Sequence, residues 1–345
     1  QFLKAIQSLE GVEVTEGACQ RFGLESSPTP VRPHVAEALD AADAYSAITT
    51  PMTELGDRCL VEIARGCPYR CRFCFTGHTI AYRPRPFEAV REMIERGRRL
   101  TQRFGLIAPA VGSHPDIGRI CEWCQSERLE VSFSSLRVED VSPAMLDLIA
   151  AGGQQSATIA PEAGTERLRR YLGKKVTDDQ VVAFAANAVA RGLTDLRLYF
   201  MVGLPTEQAE DIEAIGRLVA ATKRAAMAAR PRAQAQIRIA VNAAIFVPKP
   251  GAPLAEQPRP PAAQVKKHLQ RLSKSLGAIG GVELRAPSIA EAESQRVLSW
   301  GGREVFQALL KTAQTGGTWR HFLTEAAKSH DTEPRRHKDT KKVQR

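Results

Sequence analysis

Long apolar runs are missing from this chain. Nowhere do its 345 residues approach the ~18–20 consecutive apolar residues that a membrane-spanning helix needs. The opening QFLKAIQSLEGVEV lacks a secretory signal, so a cytoplasmic location without membrane partners is expected. The chain opens on Gln1 instead of methionine, from which a longer parent protein is expected. An even set of cysteines is also missing: there are seven, at 19, 59, 67, 71, 74, 121 and 124. A disulfide framework is therefore not expected, and clustered cysteines read first as metal or redox sites. Internal repeats are absent.

What is present begins with charge. The formal net charge is +10, and part of it lies in the polar tail TEPRRHKDTKKVQR, which reads as a disordered basic end over 329–345. The other basic run, RGRRLTQR at 96–103, falls on a predicted helix and reads as a solvated face. Such a balance bears on solubility and non-specific binding before it names a partner. Nucleic acid is the less favoured one.

From about residue 53 short apolar runs alternate with helical patterns. The predicted strands are 59–66, 104–112, 129–137, 156–162, 196–203 and 237–247, several of them nearly continuous apolar runs, as expected of strands covered on both faces. The helices have legible ends. Ser142–Pro143 offers an N-cap with proline behind it, and Thr177 with Gln180 makes a capping box for a helix stopping at Gly192. Thr206 opens another, with Glu207, Glu210 and Asp211 near its start. Six strand–helix units predict a partial (β/α)6 TIM-like barrel, a doubly wound sheet being the alternative. Residues 1–52 read as a linker or the remnant of a preceding domain, 53–285 as the core domain, and 286–328 as a small helical appendage.

RGCPYRCRFCF at 65–75 spaces three cysteines as C-x3-C-x2-C, directly after the first predicted strand. In parallel α/β barrels the loops after strands form the active face. Three thiolates can hold a cubane that normally takes four, leaving one iron open for a cofactor or substrate. The bland reading is zinc, with His78 or the pair Cys121 and Cys124 completing a four-ligand set. That pair sits three residues apart on one helical face, where buried structural thiols are the commoner explanation and an auxiliary cluster the rarer one. Cys19 and Cys59 read as incidental.

This triplet, with Phe73 before its third cysteine, resembles the cluster loop of the radical S-adenosylmethionine (SAM) superfamily. TIAPEAGTERLRRYLGK (158–174), LYFMVGLPTE (198–207) and FVPKPGAPL (246–254) are similar to the core of members associated with a cobalamin-binding domain. The resemblance implies that Cys67, Cys71 and Cys74 hold a 4Fe–4S cluster, reduced by a flavodoxin- or ferredoxin-like donor, that cleaves SAM to a 5′-deoxyadenosyl radical. It implies cofactor contacts at Phe73 and at the strand ends: Gly112 and Ser113 (within AVGSH, where the family has Gly-Gly-Glu), Ser134, Ser135, Arg137, Glu162, Gly203 and Pro205. Each has a plainer reading: Glu162 could cap the next helix, and Gly203–Pro205 could simply turn strand into helix. Tyr82 and His78 could face substrate or merely pack. The D-x-H-x-x-G loop of a cobalamin domain is absent from the sequence, so cobalamin is expected only with a domain outside this chain, and uncoupled SAM cleavage without methyl transfer is expected of the chain alone. The alternatives are a tRNA-modifying methylthiotransferase-like enzyme and a non-catalytic metal-binding nucleic-acid module. Substrate identity is not written in these residues.

Overall fold

The computed structural model describes Leu39 and residues 42–53, 56–133, 136–231 and 236–329. The chain divides into two units, Gln1–Asp43 and Ala44–Arg345. The expected linker over 1–52 lies largely outside the described residues, as do Cys19, Ser134, Ser135 and all of the basic tail beyond Ser329.

Within the second unit seven parallel strands run in chain order: β1 Cys59–Glu62, β2 Arg103–Ile107, β3 Glu130–Phe133, β4 Ser156–Glu162, β5 Asp195–Val202, β6 Arg238–Ile245 and β7 Val282–Arg285. β1, β2 and β3 pair in parallel, and β4 through β7 form a second parallel set. A parallel bridge from Leu136 to Ile159 links the two sets, with the Leu136 amide donating to the Thr158 carbonyl at 3.2 Å. This sequential order is that of a barrel wall; a doubly wound sheet reverses direction partway. Along the free edge of β1 runs the segment around Tyr45, antiparallel to Val61.

Helices cover the outer face: α1 Phe87–Gly97, α2 Ile117–Ser126, α3 Pro143–Ala151, α4 Glu166–Tyr171, α5 Asp178–Ala190, α6 Ala209–Ala229 and α7 Ala262–Gly277. Their apolar stripes meet the buried alternate residues of the strands in one core containing Val61, Phe104, Ile149, Leu198 and Val241. The predicted caps appear. Ser142 accepts from the Met145 amide, and Thr177 and Gln180 form the reciprocal box.

Two local expectations are corrected. The strand expected over 104–112 ends at Ile107, two residues before Pro109, which has no amide hydrogen to donate. The helix expected from Thr206 begins at Ala209 with Gln208 as its cap, because Thr206 is left-handed at φ 65° and Glu207 turns inward. The expected partial barrel is present, and one further parallel strand, β7, extends its wall.

After β7 come α8 Ile289–Trp300, α9 Arg303–Gln314 and α10 Trp319–Ser329, which share a small core of Val305, Ala308, Phe322 and Ala326. The α8 end of this appendage is tied to the loop after β6. Trp300 Nε1 donates to the Pro248 carbonyl at 3.0 Å, Lys249 Nζ to Ser299 Oγ at 3.0 Å, and Arg259 pairs with Glu293 at 2.9 Å.

Candidate metal and cofactor centre

The cysteine loop leaves β1 through a short antiparallel pair, Ala64–Arg65 with Arg83–Pro84. Two backbone bonds pin its centre: the Arg72 amide donates to the Leu172 carbonyl at 2.9 Å, and the Arg72 carbonyl accepts from the Leu254 amide at 3.0 Å. The Arg72 guanidinium lies 4.3 Å from the centre of the Tyr171 ring. Phe73 packs partly buried against Ala163, Leu168, Leu172, Leu204, Phe246 and Leu254. The loop is thereby stapled to the segments that follow β4, β5 and β6, at the carboxyl ends of the strands. Phe73 does this by apolar contact.

Cys71 is buried, and Cys67 and Cys74 are partly exposed. Burial pushes the Cys67 thiol up, while a backbone bond at Tyr69 and the Arg137 charge pull the other way. Among the described residues no three His, Cys, Asp or Glu side chains converge on a single ion position. His78 Nε2 is engaged by the Cys71 carbonyl at 3.2 Å, a bond that steadies the loop.

Beside Cys71 stands a charged group that sequence reading found only in part. Arg137 Nη1 donates to Cys71 Sγ at 3.4 Å, and its guanidinium stacks 3.7 Å from the Tyr69 ring centre. Nη2 donates to Glu139 at 2.8 Å, and Nε lies 3.8 Å from Asp140. The Tyr69 hydroxyl donates to Asp140. Burial alone would lower the Arg137 pKa, but Glu139 and Cys71 outweigh it and the net shift is upward, so the charge is held. Burial raises the Asp140 carboxyl against the opposing pull of Tyr69 and Arg137. Arg137 Nε, Glu139 Oε2 and Asp140 Oδ2 are buried without hydrogen-bond partners beside the cysteine loop, Nε and Oδ2 meeting only at the 3.8 Å of their ion pair.

Gly112 and Ser113 lie in a single 3-10 turn, Val111–Ser113, past the end of β2. A Cβ on Gly112 would stand 2.6 Å from the Asp140 Cβ. The glycine thus lets Asp140 approach, and through Asp140 sets Tyr69 and Arg137. Ser113 bonds back to the Ala110 carbonyl at 2.7 Å, and its own carbonyl accepts from Tyr82 at 3.2 Å.

Glu162 ends β4 at a register shift and is left-handed, φ 72°. A non-glycine residue held there costs about 1–3 kcal/mol and persists only where its surroundings demand it. It does not cap the next helix, since Thr165 does that by accepting from the Leu168 amide. Its carboxylate instead receives Lys174 Nζ at 2.8 Å, and the same buried ammonium donates to the Ala160 carbonyl at 2.6 Å.

Gly203 is left-handed, φ 85°, and buried Pro205 follows it. The Gly203 amide donates to Glu207 Oε2 at 2.8 Å, and the same oxygen meets His268 Nδ1 at 2.8 Å. A buried carboxylate and an imidazole from α7 therefore fix the turn after β5. Cys121 and Cys124 point from α2 into the core, where burial pushes both thiols up to about 12. Cys59 is likewise buried, its Sγ facing the Ser46 carbonyl.

Sequence reading missed Tyr69, Glu139, Asp140 and Lys174. The signal for Lys174 lay inside the quoted stretch 158–174, twelve residues from its partner.

Comparison with known proteins finds one matching family model. The model for the radical SAM superfamily matches residues 61–219. "Uncharacterized protein MJ0966" of Methanocaldococcus jannaschii is 36% identical over 199 residues, 56% of this chain and 42% of that protein, so the chain spans less than half the length of this relative. Among solved structures, TsrM of Kitasatospora setae, a radical SAM methyltransferase with cobalamin and a [4Fe–4S] cluster bound, superposes with a TM-score of 0.49 at 12% identity. The match covers 78% of this chain and 60% of that one. Methylornithine synthase PylB gives 0.41 at 16%, over 78% and 85%.

Proposed function

We propose that this chain is a radical SAM enzyme, the superfamily whose model matches residues 61–219, and that Cys67, Cys71 and Cys74 hold the superfamily's 4Fe–4S cluster at the mouth of the barrel. When bound and reduced, the cluster supplies one electron for cleavage of SAM to methionine and a 5′-deoxyadenosyl radical. One observation carries the reading: three thiols on a single loop, stapled to the ends of three other strands, with unmatched buried polar atoms beside them.

Those open atoms suit a zwitterion. Glu139 Oε2 and Asp140 Oδ2 can accept from an ammonium, and Arg137 Nε can donate to a carboxylate. Arg137 also places its guanidinium 3.4 Å from Cys71 Sγ. Glu162, oriented by Lys174, offers a carboxylate to the cofactor at the end of β4. The turn Gly203–Pro205, fixed by Glu207 and His268, offers a backbone surface at the end of β5. Gly112 and Ser113 shape the mouth from behind Asp140. The electron comes from a flavodoxin- or ferredoxin-like donor, and the reacting substrate enters through the same mouth.

The test is anaerobic reconstitution followed by reduction in the presence of SAM. Formation of 5′-deoxyadenosine is expected; fully iron-loaded, reduced protein that leaves SAM intact rejects the proposal.

The substitution Glu162→Gln should weaken SAM binding by roughly 10- to 150-fold, the worth of a charge-assisted hydrogen bond of about 1.5–3 kcal/mol. Iron content should not change. Calorimetric titration of the loaded protein checks this. Unaltered affinity with a lower melting temperature would assign the Glu162–Lys174 pair to structure alone.

A further inference from the structure

The inner face of β5, β6 and β7 has no role in the site just described. Along β5, Leu196, Leu198, Phe200 and Val202 are buried beneath helices, while Arg197 and Tyr199 on the other face are exposed. A closed barrel fills its lumen with layers of bulky branched side chains. Here register sets Arg197 beside Ala240 and then Glu283, and Tyr199 beside Asn242 and then Arg285. These are small or polar residues, and they do not fill the space. A cavity of about 560 Å³ lies over the lower part of this face.

The charges on this face do not cancel. Arg238 pairs with both oxygens of Asp195, the longer contact being 2.7 Å, and Arg285 pairs with both oxygens of Glu283 at 2.7 Å. Both carboxylates are thus taken by a guanidinium fork. Arg197 makes no hydrogen bond or close ion pair among the described residues, and reaches Asp195 only as a more distant charge behind Arg238. One strand over and two residues on, Asn242 Nδ2 is buried and also without a partner. Arg197 lines the cavity, and Asn242 stands just above it, two residues past the lining residue Ala240 on the same face.

Depth gives the ligand a length. Glu162 is in register with Phe200, and Arg197 lies three residues earlier on β5. At about 3.3 Å per residue, that is about 10 Å below the level of Glu162.

We infer that this face binds the anionic end, carboxylate or phosphate, of an elongated substrate, with Arg197 as the charged fork and Asn242 as a second donor. The substrate's reacting end then stands about 10 Å higher, at the mouth. Only that choice of end rests on the proposed cofactor site; the anion site stands on its own residues. A planar guanidinium matches either oxyanion in two-point contact.

The experiment uses the full chain, without cluster and again after cluster loading, and two probes. Inorganic phosphate is followed by phosphorus NMR line broadening, and benzoate by saturation transfer. One of the two should bind saturably in both forms, the identity of the binder telling phosphate from carboxylate. Arg197→Gln should weaken that binding at least tenfold, Arg197→Lys less, and Asn242→Ala severalfold. Arg99→Gln, an exposed arginine on another surface, should change nothing. Arg197 is exposed and unpaired, so its variants should melt as the parent does. Absence of saturable binding by either probe, or equal binding by Arg197→Gln, overturns the inference. Because binding is read without cluster, and SAM cleavage is read separately, the two proposals fail independently.

Discussion

Replacing Cys67, Cys71 and Cys74 together with alanine should abolish cluster loading. The parent chain, reconstituted anaerobically, should bind about four irons and four sulfides, the content of one cubane. The effect should be all-or-none because each thiolate serves its own iron and nothing beside the loop can stand in. Arg137 and His78 stand beside Cys71, and neither is a thiolate. Glu139 and Asp140 each have one oxygen bound, by Arg137 and Tyr69, and neither offers the thiolate that such a cluster takes. Replacing Cys121 and Cys124 should leave iron and sulfide intact. Their thiols are buried in the core and resist ionisation until about pH 12, and a metal ligand must be a thiolate. Iron and sulfide analysis with the paramagnetic spectrum of the reduced protein checks both arms. A triple variant that keeps the spectrum moves the cluster elsewhere.

Much of this site is legible in sequence because its determinants are local. The spacing 67–71–74 fits one loop, and the apolar runs that mark β1, β4, β5 and β6 are long enough to separate from helices. Thr177 and Gln180 announce the start of α5 within four residues. What escapes is set at a distance. β7 has four residues alternating between half-buried and exposed, too weak a period to read. Glu162 shows no sign in sequence of its left-handed backbone, and its partner Lys174 is reached only after α4 has turned the chain back. Glu207 looks like a first-turn helix acid, the role that falls instead to Glu210 and Asp211; its true partner, His268, is 61 residues away. The unmatched charge of Arg197 appears only once Asp195 and Glu283 are seen to be occupied. Pairing across strands, not residue type, makes it available.

The buried arginine beneath Glu162 should be the side chain whose loss costs the fold most. Arg169 is fully buried on α4. Its Nε donates to the Ala163 carbonyl at 3.0 Å, Nη1 to Val176 at 2.7 Å and Nη2 to Gly164 at 3.0 Å. It also pairs with Asp178 at the start of α5. One guanidinium therefore satisfies three carbonyls on both sides of α4 and holds the chain that carries Lys174 back toward Glu162. Arg169→Ala leaves those carbonyls open and a cavity where the side chain lay, each stranded acceptor costing about 1–3 kcal/mol. A loss of at least about 3 kcal/mol in denaturant-unfolding stability is expected, with SAM affinity falling alongside because Glu162 loses its support. The partner predicts the opposite scale: the Asp178 side chain is 56% exposed, and a pair with one partner in solvent is worth little. Asp178→Ala should cost under about 1 kcal/mol. Equal losses in the two variants would mean that the ion pair, and not the carbonyl clamp, holds this turn.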